Sequence, residues 1–199
     1  MELTQNPSVL ELVRKTAELT TPKEIVWIDG SEAQLESLRK IAVETGELIK
    51  LNEEKLPGCY LNRSDVNDVA RVEGRTFICS RTREEAGPTN NWMDPDEMKA
   101  KLHEILRCAM AGRTMYVIPY SMGVIGSPFA KYGIEVTDSI YVVLNMAIMT
   151  RIGTKVLDAL GDSSDVILGV HSKVTLDPEN RYIVHFPEEN KIISVNSNY

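Results

Sequence analysis

The segment 62–75, NRSDVNDVARVEGR, is dense in charge, and in it Arg71 stands two residues before Glu73. An arginine there can offer its planar fork of donors to a carboxylate or a phosphate, with better geometry than a lysine. The plainer alternative is a surface ion pair worth about 0–1 kcal/mol. Spacing alone favours the ion pair, because most arginines are solvated. Asp29-Gly30, closing the apolar run 24–29, can hold a carboxylate above a ligand at a strand's carboxyl end, although the same dipeptide is an ordinary turn. His171 and His185 fall on two expected strands, but neither has a carboxylate or cysteine at ligand spacing, which disfavours a metal pair. His103 is one position off the apolar face of its helix and reads as solvated. The loop 121–128, SMGVIGSP, has two glycines yet lacks both the G-x-x-x-x-G-K-[ST] and the G-x-G-x-x-G phosphate patterns, so a tight turn is expected. No nucleophile, base and metal ligands assemble into a complete catalytic set.

With 199 residues the chain is long enough for one domain that buries roughly 70% of its unfolded surface. Apolar residues at 43% and charged residues at 26% are values of a soluble globular protein. A net charge of −7 argues against non-specific binding to nucleic acid or anionic membrane, and any small anion would need a dedicated arginine or lysine. The opening MELTQNPSVLELVRK has neither a basic leader nor an uninterrupted apolar core, so no secretory signal is expected. No apolar run approaches the ~20 residues of a membrane span. Cys59, Cys79 and Cys108 are odd in number and far apart, which suits a reducing cytoplasm.

The elements that would hold these residues follow from periodicity and punctuation. Asn6-Pro7 opens a helix to about Leu19, and the run 24–29 is a strand. Ser31 with Gln34 caps a second helix stopped by Gly46, and a return strand near 48–51 would complete a parallel strand–helix–strand unit. Ser64 or Asp65 can cap a short helix through Ala70, which puts Arg71 just before a strand at 75–80. The stretch 82–92 is a loop, and Asp94-Pro95 with Glu97 opens a helix that runs to Gly112. A strand at 113–120 closes on Pro119, and after the loop a further strand leads to an apolar helix at 139–149. A short helix at 155–160 and strands at 166–172, 181–186 and 191–196 follow, the last two as a hairpin across 187–190. These add up to one α/β domain over 1–199, a mixed sheet flanked by helices.

The stretch GRTMYVIPYSMGVIGSPFAKYGIEVTDSIYVVLNMAIMTRIG resembles the signature of the GTP-dependent phosphoenolpyruvate carboxykinases over about forty residues. DVARVEGRT at 68–76, NWM at 91–93 and the terminal RYIVHFPEENKIISVNSNY agree with it in register, so the resemblance covers essentially the whole chain. It implies the mixed sheet of that family's N-terminal domain. It also implies a lyase of gluconeogenesis or anaplerosis, which decarboxylates and phosphorylates oxaloacetate with GTP to phosphoenolpyruvate, carbon dioxide and GDP, using Mn2+ or Mg2+. In the family the arginine of D-V-A-R grips the substrate carboxylate and phosphate, and the glutamate two residues later holds the closing lid. Those positions are Arg71 and Glu73. The family's substrate-facing tyrosine corresponds to Tyr199, reached here through N-S-N-Y in place of the usual G-S-G-Y.

In the family that tyrosine is followed by a G-G-N-S-L-L-G-K-K segment, and the metal ligands, phosphate-binding loop, guanine pocket and lid all lie beyond it. The resemblance therefore implies a substrate-contributing N-terminal domain without its nucleotide-binding partner domain, binding no metal or nucleotide itself and inactive alone. The alternative is a stand-alone α/β binding or regulatory module that kept the fold and lost the reaction.

Overall fold

Asn6 accepts hydrogen bonds from the backbone N–H groups of Ser8 and Val9 at 3.0 and 3.2 Å, and Pro7 follows, so α1 (Pro7–Thr20) begins with its free donors capped. The computed structural model describes residues 2–66, 68 and 72–198. In chain order α1 is followed by β1 (Glu24–Trp27), α2 (Glu32–Glu44), β2 (Ile49–Lys50), β3 (Tyr60–Leu61) and β4 (Thr76–Ile78). Then come α3 (Pro95–Leu106), β5 (Thr114–Met122), β6 (Lys131–Thr137), α4 (Ile140–Met149) and β7 (Arg151–Ile152). The chain closes with α5 (Thr154–Leu160), β8 (Ile167–Ser172), β9 (Tyr182–Phe186) and β10 (Lys191–Val195).

The strands form a mixed sheet in the order β1-β5-β6-β8-β10-β9-β4, with β7 beside β5. The parallel register of β6 with β8 and of β8 with β10 brings three carboxyl ends together, at Thr137, Ser172 and Val195. One sheet face is covered by α1, α3 and α5, whose Val9, Leu102 and Leu160 pack onto Val117, Val136 and Val195. On the other face α2 and α4 cover only the β1–β5 side, closing over Ile28, Tyr116 and Ile118. The continuation of that face across β8, β10 and β9 carries Ile167, Ile192 and Ile183, which are half-buried and belong to neither core cluster. Glu135 lies on it too, its carboxyl filling the space above Gly169, where an added Cβ would meet Oε2 at 1.9 Å.

Three expectations are corrected. The return strand after α2 does not join β1 in a parallel unit. It forms β2, paired antiparallel with β3 in a separate two-stranded ribbon, while β1 pairs parallel with β5. Only Leu48 of this segment is buried and Ile49 and Lys50 are exposed, whereas a parallel strand needs a continuous apolar run. The helix begun at Asp94 stops at Leu106 rather than Gly112, because Cys108 takes φ +54° and the N–H groups of Cys108 and Met110 donate to the last carbonyls of α1, those of Leu19 and Thr20. Pro119 sits inside β5 instead of at its end. Its carbonyl accepts from Gly153, so its missing N–H falls in the gap between the last β1 pair, at Val117, and the first β7 pair, at Tyr120. The short helix expected through Ala70 falls largely outside the described residues.

At the end of β1 the chain crosses the start of α5 at van der Waals distance. A Cβ on Gly153 would lie 2.2 Å from the Asp29 carbonyl oxygen, and one on Gly30 would lie 2.5 Å from that of Ile152. Both glycines have positive φ, +107° and +79°, which an L side chain rarely adopts.

Candidate functional site

At and beyond the three aligned carboxyl ends lies a run of buried polar residues: Thr137 ending β6 with Asp138 and Ser139 after it, Ser172 ending β8, and Asn196, Ser197 and Asn198 after β10. Burying such groups costs free energy unless each finds a partner, and here the partners are one another. Asp138 takes Arg113 Nη1 at 2.6 Å and Ser172 Oγ at 3.2 Å on Oδ2, and the Lys173 N–H at 2.8 Å on Oδ1. Its carboxylate thus ties the strand β5, entered at Arg113, to the ends of β6 and β8.

His171 bridges next. Its Nε2 lies 2.9 Å from the Ser197 carbonyl oxygen, which can only accept, so Nε2 carries the proton. Nδ1 is then the acceptor for the Thr137 hydroxyl at 2.7 Å, and that hydroxyl oxygen in turn accepts from the Ser139 N–H at 3.0 Å. Burial pushes the His171 pKa down, which keeps the ring in the neutral form this pattern requires. His185, on β9, is separated from it by β10 and pairs with Ile192 rather than Ser194, so the two histidines do not converge.

The residues after β10 are held from several sides. Asn196 adopts φ +62°, accepts from the Thr175 and Asp177 N–H groups, and donates to the Asn180 carbonyl. Buried Arg181 donates through Nε to the Asn196 carbonyl at 2.8 Å. Ser139, the N-cap of α4, donates its hydroxyl to the Asn198 carbonyl at 3.1 Å. The remaining partner comes from far away in the chain: Asp68 accepts the Ser197 hydroxyl at 2.9 Å on Oδ1 and the Asn198 N–H at 2.6 Å on Oδ2, with Arg181 Nη2 3.5 Å from Oδ1.

Arg71 and Tyr199, the two expected substrate contacts, lie outside the described residues. Their described neighbours Asp68, three residues before Arg71, and Asn198, one before Tyr199, are joined directly. Glu73 is described and exposed, at the start of a 3-10 turn leading into β4. Its carbonyl is held by the side-chain amide of Asn91 at 2.7 Å, which also reaches the Thr76 carbonyl at 3.0 Å. The NWM segment noted in the sequence therefore pins the backbone at Glu73. Asp29 serves a turn, accepting the Ser31 N–H at 2.7 Å as α2 begins.

A cavity of about 510 Å³ opens beside Asn198, with Arg63, Arg113 and Lys173 on its walls against Glu47 and Asp65. Lys173 Nζ lies 3.4 Å from Glu47 Oε1. Among the described residues no three His, Cys, Asp or Glu side chains come together as metal ligands. The strand-end carboxylates Asp138 and Asp68 are taken up by Arg113, by the Ser172 and Ser197 hydroxyls and by backbone N–H groups, a donor set that does not fit Mn2+ or Mg2+. The glycines of 121–128 serve the connection from β5 to β6, at φ +97° and +83°, and the Gly126 N–H donates to the Tyr132 hydroxyl at 2.9 Å.

Asp68 and His171 are the residues that sequence reasoning missed as organisers of this site. The aspartate of D-V-A-R was visible as a letter, but nothing local announces a partner 130 positions away.

Residues 11–199 match the family model described as the phosphoenolpyruvate carboxykinase N-terminal domain. Among curated relatives, the phosphoenolpyruvate carboxykinase (GTP) of Anaeromyxobacter dehalogenans strain 2CP-C is 53% identical over 196 residues, covering 98% of this chain and 33% of the relative. The protein of the same name from Neocallimastix frontalis is 49% identical over 206 residues, with 98% and 34% covered. That from Corynebacterium jeikeium strain K411 is 46% identical over 207 residues, with the same coverage. The chain spans about a third of the length of the curated relatives it matches.

Proposed function

We propose that this chain, which belongs to the phosphoenolpyruvate carboxykinase N-terminal domain family, is the substrate-contributing part of a GTP-dependent phosphoenolpyruvate carboxykinase. The whole enzyme converts oxaloacetate and GTP to phosphoenolpyruvate, carbon dioxide and GDP, in the cytoplasm, with a divalent cation supplied by residues outside this chain. When bound, that ion would neutralise the charge on the nucleotide's phosphates during phosphoryl transfer, and a second, C-terminal domain would hold both. This chain's own part is to grip and orient the dianionic substrate. Arg71 offers its guanidinium fork to the carboxylate and phosphoryl oxygens, Tyr199 lies against the substrate, and Glu73 fastens the lid of the other domain. Among the described residues no helix is long and apolar enough to cross a membrane.

The observation that carries this reading is the place of Asn198: one residue before Tyr199, beyond the carboxyl ends of parallel strands, on the wall of a cavity that also bears three cationic side chains. Ligands of α/β sheets bind at such ends. Arg113 and Lys173 stand there paired with Asp138 and Glu47, so the cavity wall holds its cations in fixed positions beside carboxylates.

The test is a coupled assay with oxaloacetate, GTP and Mn2+. The 199-residue chain is expected to show no turnover, and the full-length polypeptide that contains it is expected to turn over. Turnover by the 199 residues alone, or none by the full-length polypeptide, contradicts the proposal, and the second outcome points to a module without the reaction.

A further inference from the structure

We propose that the part of the sheet that α2 and α4 leave uncovered is where the remainder of the full-length polypeptide docks, setting apolar side chains on Ile167, Ile183 and Ile192 and one lysine or arginine side chain on the Glu135 carboxylate. This rests on the reading above only in taking the chain as one part of a longer polypeptide. Strand β6 pairs parallel with β8, and β8 with β10. Parallel strands occur almost always with both faces covered, because their side chains are apolar on both. Here one face of that block is sealed by α1, α3 and α5, while the other carries the three half-buried isoleucines and a groove of about 280 Å³ lined by Ile78, Ile167, His185 and Ile192. The chain covers 33% and 34% of two curated relatives, so most of such a polypeptide lies outside it and is available to fill that groove.

The charge of the occupant follows from Glu135. Its carboxyl lies over Gly169 of β8, which in turn pairs with Ile192 of β10, so the acid borders the apolar groove. Tyr120 lies beside it over Gly133, where an added Cβ would meet the ring at 2.3 Å. Among the described residues no hydrogen bond or ion pair reaches the Glu135 carboxyl, and burial alone, with no neighbouring cation, pushes it up to about 8. His185 on the same face stands three strands away on β9 and is held toward its neutral form by burial, so it supplies no counter-charge. A surface that packed here without a cation would dry the carboxyl further and strand it unpaired, whereas buried charges are as a rule paired. A lysine or arginine on the docking surface satisfies the acid and leaves the isoleucines to apolar contact.

The experiment uses the full-length polypeptide with Ile192→Cys or, separately, Ile183→Cys, labelled with a bulky maleimide and mapped by peptide mass spectrometry against the exposed native Cys59 as internal standard. The introduced thiol is expected to react at least about a hundredfold more slowly than Cys59, at every protein concentration. A rate near that of Cys59 shows an open face, and protection that falls away on dilution assigns the face to a second copy; either overturns the proposal. Glu135→Gln in the same polypeptide at neutral pH is expected to lower the thermal midpoint by about 2–4 °C, because removing one partner of a buried pair leaves the other charge unmatched. With no cation on Glu135 the substitution only relieves a buried carboxyl, so a midpoint equal to or above the parent's overturns the pairing. If one cysteine variant does not fold, the other and the Glu135→Gln midpoint decide. The carboxykinase assay on the unsubstituted full-length polypeptide separates the two readings. Protection without turnover removes the carboxykinase reading and keeps the docking, whereas turnover with a freely labelled Ile192→Cys variant keeps that reading and overturns the docking.

Discussion

Glu135 shows how one side chain reports on the part of the sheet that helices leave uncovered. Burial alone pushes its carboxyl up from an ordinary 4.5 to about 8, and Tyr120, packed nearby on the same face, is pushed up to about 12 by burial and then by Glu135. A carboxyl whose pKa is raised on folding stabilises the folded state where both states hold the proton, below about pH 4.5. As pH climbs from there to about 8, the unfolded chain releases the proton and the folded chain keeps it, so stability is lost across that window. Glu135→Gln removes this dependence. The variant is expected to match the parent near pH 4.5 and to exceed it by on the order of 1–3 kcal/mol at pH 8, after allowing for partial solvent access. Denaturant midpoints at the two pH values check it, and an equal gap at both would contradict the assignment. At this scale the network at the strand ends left little mark on local sequence. Arg71, Glu73 and Tyr199 could be named because a family motif carries them, whereas Asp68 and His171 act through partners 130 and 26 positions away, and such pairings leave no mark on local composition.

Elements were legible where the signal is local. The caps at Asn6, Ser31, Asp94 and Ser139 all start helices, because a side-chain acceptor one residue before an apolar-periodic run satisfies donors that the helix cannot. They failed where a tertiary partner overrides propensity. The stop of α3 at Leu106 depends on backbone bonds to the end of α1, and β2 pairs with β3 rather than with the edge strand β1 because exposed Ile49 and Lys50 lack the continuous apolar run of a parallel strand. The crossing of β1's end over the start of α5 is another such case, since neither Gly30 nor Gly153 announces in sequence which backbone it must approach. Gly153→Ala is expected to cost at least about 2 kcal/mol, from a disallowed φ and from a Cβ set 2.2 Å from a backbone oxygen that cannot yield. Gly126→Ala, at φ +83° with open space around it, should cost about 1 kcal/mol from φ alone. Chemical denaturation of the two variants side by side distinguishes them, and equal losses would show that the close approach adds nothing.

The molecule as a whole has a finished side and an unfinished one. Helices α1, α3 and α5 seal one face of the sheet, while α2 and α4 seal about half of the other and leave Ile167, Ile183 and Ile192 half-exposed. An exposed apolar surface of that kind marks a place where another surface packs. The curated relatives are about three times as long as this chain. The sheet's existence and class were legible from alternating strands and capped helices, but its order was not, since strand order is decided by pairings among segments up to 107 residues apart, such as β4 with β9. The central claim is that this chain grips the substrate's anionic groups through Arg71. It is tested most directly by steady-state kinetics of Arg71→Ala in the full-length polypeptide. A fall in kcat/KM for oxaloacetate of about a hundredfold or more is predicted, with KM for GTP unchanged; kinetics equal to the parent's for both substrates would contradict it.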